Sequence, residues 1–363
     1  MKPISNVGAS PLFRDDGPLG ARIVRRVRGI TLEVVAFVVV TVLFPVLLLG
    51  AAIVDLVLWL KRRKPWVGVR LTAFLWWFLF GEMRALLAMV GIWIVTGAWF
   101  GIGSKRRRVL LYRLRAHWCA SHLSGIRVLF GLRFEIEGLE EAAPGPAIYM
   151  IRHASIIDNM LPDTIVSRTH GIGLRFVIKR ELQMIPTIDI GGRWVPTNFV
   201  RRASGDAEAE ISQLLQLTED LGEGEGILIY PEGTRFTPAK LKRAQEIVRE
   251  RQPEVAGFAE QLEHLLPPRL GGPLALVDEA PDVDVVFCGH VGFDGFQYIS
   301  DVWAGELVGS VIGIRFWRVP AAEIPKDEAG RAEWLYRNWL EVDAWIGSKI
   351  ERSKAEQGRF DSE

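Results

Sequence analysis

The chain has 363 residues, of which 49% are hydrophobic and 24% charged, enough for one large domain with a membrane-seeking segment in front of it. Its net charge of +1 conceals a division: residues 1–133 carry 20 basic and 5 acidic side chains, net +15, which leaves 24 basic and 38 acidic, net −14, for residues 134–363. A basic, apolar, Trp-rich front half suits an anionic membrane surface, and the long uncharged runs between its basic clusters exclude nucleic acid as the partner that explains the charge.

Residues 1–28 form a basic segment with Arg22, Arg25, Arg26 and Arg28, and residues 1–20 lack the apolar core of a cleaved signal. Residues 29–108 read as a helical membrane anchor. Positions 34–54 are uncharged for 21 residues and 85–104 for 20, each about 30 Å long as a helix. A third apolar piece, 71–81, is too short to span and is set apart from the second run by Glu82 and Arg84. Further basic clusters follow the first run (Lys61, Arg62, Arg63, Lys64) and the second (Lys105, Arg106, Arg107, Arg108). Two full spans would put the Lys61 cluster on the far side from the others, against the positive-inside tendency. A re-entrant or in-plane arrangement, with Pro45 kinking the first run, keeps all three clusters on the cytoplasmic face. The expected location is therefore a membrane, with the following domain on its cytoplasmic side.

Residues 109–132, where Arg113, Arg115 and Arg127 are interspersed with Leu, Trp and Phe, read as an amphipathic connector lying in the interface. From 133 to 352, strand candidates at 133–137, 147–151, 175–178, 226–230, 282–288 and 311–319 alternate with helix-like stretches. That alternation predicts an α/β domain, a mainly parallel central sheet flanked by helices. A closing helix is predicted over 328–351, with Trp334, Leu335, Trp339 and Ile346 near one face, followed by a frayed tail, 353–363. Two cysteines in unlike contexts, Cys119 and Cys288, and six histidines without zinc spacing give neither a disulfide framework nor a metal motif.

Two motifs at strand ends carry the chemistry. The first, Arg152-His153-Ala154-Ser155-Ile156-Ile157-Asp158, follows the 147–151 strand. On a regular helix a five-residue separation rotates two side chains apart by roughly 140°. His153 and Asp158 therefore meet only if His153 lies in the turn before a helix and Asp158 in its first turn, with Ser155 as a good N-cap. The same residues also fit a capping box, in which Asp158 serves only the helix terminus and His153 is an ordinary loop residue. The second motif, Pro231-Glu232-Gly233-Thr234-Arg235, follows the 226–230 strand. Gly233 permits a turn that larger residues resist, and the Arg235 fork matches a phosphate. A lone Glu-Gly-Thr-Arg is more often a charged surface turn. Both motifs at strand ends, in this order, in a membrane-associated chain, make the distinctive signal.

With these residues in these places, the chain resembles the glycerolipid acyltransferase family typified by 1-acylglycerol-3-phosphate acyltransferase, whose members carry an H-x4-D motif and a later E-G-T-R motif. The resemblance covers residues 147–293. Lys179-Arg180-Glu181-Leu182, with Pro186 following, is similar to the family's segment between its main motifs. Phe199-Val200-Arg201-Arg202 is similar to its Phe-Ile-x-Arg motif, which implies Arg202 as a second phosphate ligand. Leu265-Leu266-Pro267-Pro268-Arg269 and Gly271 resemble the longer branch, whose members act on several lysophospholipids besides lysophosphatidate. The chain departs from the family at the fourth motif, where a Val-Pro or related strand is replaced by Val285-Val286-Phe287-Cys288-Gly289-His290.

The resemblance implies transfer of a fatty acyl group from an acyl thioester, acyl-CoA or acyl carrier protein, to the free hydroxyl of 1-acyl-glycerol-3-phosphate, making phosphatidic acid. An imidazole, with an unperturbed pKa of about 6.5, accepts an alcohol's proton at neutral pH, and a buried Asp fixes its tautomer. This assigns His153 as general base and Asp158 as its orienter. Glu232, Gly233, Thr234 and Arg235, together with Arg202, are expected to hold the acceptor's phosphate and so place its hydroxyl against His153. Lys179 is a candidate for the oxyanion or for the donor's phosphates, although a lone Lys is more often a surface charge. No Gly-x-Ser-x-Gly elbow accompanies Ser155, so direct attack by the acceptor is simpler than a covalent serine route. Direct attack needs no metal or redox cofactor. Both substrates carry long chains, so a pocket docked on the bilayer avoids extracting them into water. Other acceptors compatible with the sequence are lysophosphatidylinositol, lysocardiolipin or a glycolipid. A reading of a different class is a catalytically silent lipid-binding membrane adaptor, against which stand His153, Asp158 and Arg235, because a binder has no need of a base.

Overall fold

The computed structural model describes residues 2–8, 17–100, 104–200, 207–294, 296 and 299–360. Among them a single sheet of seven strands runs in the order β1-β7-β6-β2-β5-β3-β4. The strands are β1 (Arg133–Glu137), β2 (Ala147–Ile151), β3 (Gly173–Lys179), β4 (Thr197–Val200), β5 (Glu225–Ile229), β6 (Asp284–Val291) and β7 (Val311–Val319). Neighbours are parallel except β6 with β7, so the α/β class with a mainly parallel sheet stands. β4, a four-residue strand at one end of the sheet order, is entered directly from Pro196 and is absent from the strands expected from the sequence pattern.

The central strands are buried on both faces, which is why β2 and β5 read as unbroken apolar runs rather than alternating ones. Ala147, Tyr149 and Ile151 of β2 face one core, with Leu123, Ile126 and Phe130 from α3 (Ser104–Phe130). Ile148 and Met150 face the other, with Leu335, Trp339 and Ile346. These last three belong to the closing helix, which continues to Phe360 rather than fraying at 353.

The front half differs most from expectation. α1 (Leu19–Arg62) runs through Pro45, and α2 (Val67–Val95) joins the 71–81 piece to the start of the 85–104 run in one helix. Glu82 and Arg84 do not break α2 because their charges have partners. Glu82 accepts hydrogen bonds from Trp118 at 2.7 Å and Thr187 at 2.6 Å, and Arg84 donates to the Ser121 hydroxyl at 2.8 Å. Arg63, at φ 51°, ends α1 in the left-handed region. The Asp55 carboxylate then takes the Gly68 and Val69 N–H groups at 2.9 and 2.8 Å, satisfying donors at the start of α2 that have no partner within the helix. Phe44 on Trp76 and Phe37 on Phe80 continue the antiparallel pairing of α1 with α2.

The expected interfacial connector is instead a domain helix. α3 lies antiparallel along α2 and buries Leu111, Ala116, Cys119, Leu123 and Phe130, so the packed domain begins near 104 rather than at 133. Four of its arginines hold protein groups, while Arg106 and Arg127 are exposed. Arg115 pairs with Asp163 at 2.8 Å, and Arg113 donates to the Ile4 carbonyl at 3.2 Å. Arg108 donates to the Gly8 carbonyl, and Arg107 lies over the Trp194 ring. Those contacts withdraw Arg107 and Arg108 from the third basic cluster, leaving Lys105 and Arg106 exposed. Residues 2–8 are laced onto the opposite end of the sheet from the site: Ile4 and Val7 are buried, and the Gly8 N–H meets Glu225 at 2.7 Å.

Both ends of the α1–α2 hairpin touch the α/β domain. At one end Gly29 faces Pro186 of α4 (Pro186–Gly191), and Arg25 and Arg26 pair with Asp189 at 2.9 and 3.0 Å. At the other, Pro65 lies against Gly305 so closely that a Cβ there would stand 2.7 Å from its ring. The hairpin therefore lies along the domain.

Glycines set the spacing between α2 and α3. A Cβ on Gly125 would stand 2.5 Å from the Trp77 ring, whereas one on Gly50, on α1, would meet nothing within 4 Å. Gly125→Leu is expected to destabilise the protein by about 1–3 kcal/mol through overpacking, while Gly50→Leu leaves stability close to wild type. Thermal unfolding of the two variants side by side checks the difference.

Candidate active site

The carboxyl ends of β2, β5, β3 and β6 lie along one edge of the sheet, where open α/β sheets bind ligands. His153 follows β2 at this edge and Asp158 opens a single 3-10 turn, Asp158–Met160. The His153 Nδ1 is 3.2 and 3.3 Å from the two Asp158 oxygens. Asp158 also accepts the Ala154 and Ser155 N–H groups at 2.8 and 2.7 Å. Asp158 collects local backbone donors as a cap does and still faces His153, so it does not serve the helix terminus alone; the element it opens is a single turn with Ile157, not Ser155, at the N-cap. The Ser155 hydroxyl accepts from the Ile157 N–H at 3.1 Å and donates to the Phe296 carbonyl at 2.7 Å. Fully buried with its proton committed, Ser155 is no nucleophile.

Burial would raise the Asp158 carboxyl, but hydrogen bonds from His153 and from His290 outweigh it and hold the group well below the usual carboxylate range. An ionised carboxylate only accepts, so the proton on His153 sits at Nδ1 and the Nε2 lone pair is left to take another.

The turn after β5 wraps the backbone of His153. Glu232 Oε1 accepts the His153 N–H at 2.7 Å, Oε2 accepts the Leu266 N–H at 3.0 Å, and the Phe236 N–H donates to the His153 carbonyl at 2.9 Å. Tyr230, ending the strand side of the turn, lays its ring 4.4 Å from the imidazole. Burial pushes the Glu232 carboxyl up to about 8, against the pull of the two N–H donors and the Arg152 guanidinium. This corrects the expectation for Glu232: 2% exposed and turned inward, it fixes the turn rather than touching a phosphate. Gly233 has φ +65°, and its open face is covered by the Arg269 side chain, 2.7 Å from where a Cβ would stand. The Arg269 N–H donates to the Pro231 carbonyl at 2.9 Å. Thr234 and the Arg235 carbonyl both receive Lys240, at 3.2 and 2.8 Å, from the first turns of α5 (Pro238–Arg251).

His153, Asp158, Glu232 and Gly233 are thus brought together. Arg235 is half-buried on the same turn. Lys179 ends β3, two strands from β2. Arg202 lies outside the described residues. Lys240 was missed for want of any motif, and Arg269 was noted only as part of a branch resemblance. Arg152, fully buried, donates to the carbonyls of His290 at 2.6 Å and His264 at 3.0 Å and pairs with Asp294. His290, in the segment where the fourth motif departs from its usual form, turns out to face Asp158 at 3.5 Å.

Residues 133–266 match the family model described as Acyltransferase. The 1-acyl-sn-glycerol-3-phosphate acyltransferase gamma of Mus musculus is 26% identical over 204 residues, which is 54% of this chain and 51% of the relative. Lysocardiolipin acyltransferase 1 of Mus musculus is 22% identical over 299 residues, covering 80% of this chain and 75% of the relative. The chain spans about half the length of the acylglycerol-phosphate relatives it matches. Among solved structures, the 1-acyl-sn-glycerophosphate (LPA) acyltransferase PlsC from Thermotoga maritima aligns at 14% identity and a TM-score of 0.44, over 76% of this chain and 98% of that one.

Both Glu232 oxygens are acceptors, and an amide supplies only one. Glu232→Gln is therefore expected to leave one buried N–H unpaired at a cost of about 1–3 kcal/mol. Chemical denaturation, with hydrogen exchange at the His153 and Leu266 amides, reads both the loss and its location.

Proposed function

The chain belongs to the glycerolipid acyltransferase family, and from that premise we propose that it moves a fatty acyl group from an acyl thioester to the free hydroxyl of 1-acyl-glycerol-3-phosphate, making phosphatidic acid. The observation that carries this reading is the His153 imidazole, its Nδ1 committed to a buried Asp158 and its backbone held by the turn that bears Arg235. The acceptor's hydroxyl oxygen attacks the thioester carbonyl carbon while its proton passes to the His153 Nε2. Collapse of the tetrahedral intermediate breaks the carbon–sulfur bond, and the imidazolium returns the proton to the leaving thiolate. One ester and one thiol form, and His153 ends neutral. The Asp158 anion stabilises the imidazolium between these steps.

Arg235, with Lys240 of α5 and Arg269 packed against its turn, supplies positive charge for the acceptor's phosphate, and Arg202 is proposed as a further ligand. Lys179 at the end of β3 is proposed for the donor side, acyl-CoA or acyl carrier protein. A second acceptor, lysocardiolipin, is favoured by the match to a lysocardiolipin acyltransferase over 80% of the chain.

The lipid substrates call for a docked enzyme, and α1 presents Val42, Val46, Leu49 and Leu60, each more than half exposed, along its outer side. Because both ends of the hairpin touch the α/β domain, standing it upright across a bilayer would draw the flank of that domain into hydrocarbon. We therefore read the hairpin as lying in the membrane plane, with the domain on the cytoplasmic side.

Two experiments test these assignments. With matched acyl chains and a panel of lysolipids, Arg235→Ala is expected to weaken acceptor binding by about 2–4 kcal/mol, and Arg235→Lys by less, because Lys keeps the charge but loses the two-pronged geometry. The donor's KM changes little, and His153→Ala, the reference for lost chemistry, turns over orders of magnitude more slowly. A rise in the donor's KM instead would assign the turn to the donor. For orientation, single cysteines beside Lys61 and Lys105 are expected to react from the same side of sealed vesicles, both native cysteines being buried. Labelling of the two from opposite sides would establish a spanning hairpin.

A further inference from the structure

We propose that His290 is a positioning residue for the reaction: its imidazole shares the Asp158 carboxylate with His153 and thereby limits how strongly Asp158 draws a proton onto the general base. The proposal rests on the acyl-transfer reading for its role, though its physical content is a property of the His153–Asp158 pair alone.

His290 is fully buried on β6, the neighbour of β2, and its Nε2 stands 3.1 Å from the Arg152 carbonyl and 3.5 Å from Asp158 Oδ2. A carbonyl oxygen only accepts, so Nε2 carries the proton and donates it to the carbonyl, with the carboxylate oxygen 3.5 Å from the same N–H. Among the described residues no group bonds the buried Nδ1, and the His290 and Phe293 rings meet edge-on, 6.1 Å between centroids. Protonating Nδ1 would bury a second donor with no acceptor, so the N–H that His290 offers is the one at Nε2. The Arg152 guanidinium, donating to the His290 carbonyl at 2.6 Å, holds this residue and the segment before His153 in one frame.

The consequence is electrostatic. Besides His153, Asp158 already takes two backbone N–H groups at Oδ2, and the His290 N–H lies 3.5 Å from that same oxygen as a fourth. Each donor disperses charge that would otherwise favour the imidazolium of His153. The other titratable groups facing the carboxylate are Tyr230 at the end of β5, Cys288 on β6 and Glu232 on the adjoining turn. Burial keeps Tyr230 and Cys288 protonated; the charged groups on the His290 side are the Arg152 guanidinium and Asp294, which pair with each other. A general base must be neutral to begin the reaction, and a carboxylate left wholly to His153 would hold it charged up to a higher pH.

The test compares wild type with His290→Phe, which keeps the ring and removes the donor, and His290→Gln, whose amide N–H reaches the position of Nε2. Acyl transfer by the full chain in lipid nanodiscs is followed between about pH 5 and 9, and the His153 imidazole is titrated by NMR of histidine-labelled protein. His290→Phe is expected to move the acid limb of kcat/KM, and the NMR midpoint of His153, upward by about half a pH unit, the scale of one modest hydrogen bond to a charged partner. Above that limb its rate stays within about threefold of wild type, acceptor KM is unchanged, and His290→Gln restores both midpoints. Equal midpoints in wild type and His290→Phe, or an equal shift in the Gln variant, would reduce His290 to packing and overturn the proposal. If His290→Phe does not fold, His290→Asn, whose amide reaches only the Nδ1 position, is expected to show the same upward shift, and its absence is equally fatal. A wild type that transfers no acyl group overturns the functional reading, while the NMR midpoints still decide the role of His290.

Discussion

The Glu232 carboxylate, buried between the backbone N–H groups of His153 and Leu266, joins three stretches of chain that are far apart in sequence. With Phe236 on the His153 carbonyl, it leaves neither polar group of that residue's backbone free to move independently of the 231–236 turn. The imidazole and the basic turn therefore form one rigid unit before any substrate arrives, which is the condition under which proximity contributes most to rate. Burying a carboxyl group is costly, and two N–H donors and the nearby Arg152 guanidinium offset only part of that cost, so burial still pushes the group up to about 8. The sheet makes the arrangement possible, because β2 and β5 are parallel neighbours and deliver both loops to the same edge.

The basic front half divides into two populations by what its charges touch. Arg107, Arg108, Arg113 and Arg115 are spent inside the protein, on carbonyls, Asp163 and an aromatic face. Lys105, Arg106 and the cluster at the hairpin tip stay exposed or partly so. The same division explains why α2 crosses Glu82 and Arg84 without breaking, since each side chain reaches a partner on α3 or α4. An isolated apolar helix would have to expose those charges to lipid; packed between α1 and α3, it does not.

The sequence by itself determined the parts that depend on near neighbours. The limits of β1, β2 and β7 are as their apolar patterns predicted, the sheet is mainly parallel because strands and helices alternate, and His153 and Asp158 meet because a tight turn is the only geometry that their spacing allows. What tertiary structure decided is where charge is buried. Nothing local to Glu232 shows that its carboxylate turns inward to Leu266, 34 residues on. Nothing in the composition of 104–130 separates a lipid-facing amphipathic helix from one whose arginines clamp residues 2–8 and Asp163. The role of His290 was hidden in the same way, in a strand whose pattern departs from the expected motif and whose partner, Asp158, lies 132 positions earlier. In each case the physical reason is one: the free energy of a buried polar group is set by the partner across the fold, and a partner across the fold leaves no mark on the sequence around the group it satisfies.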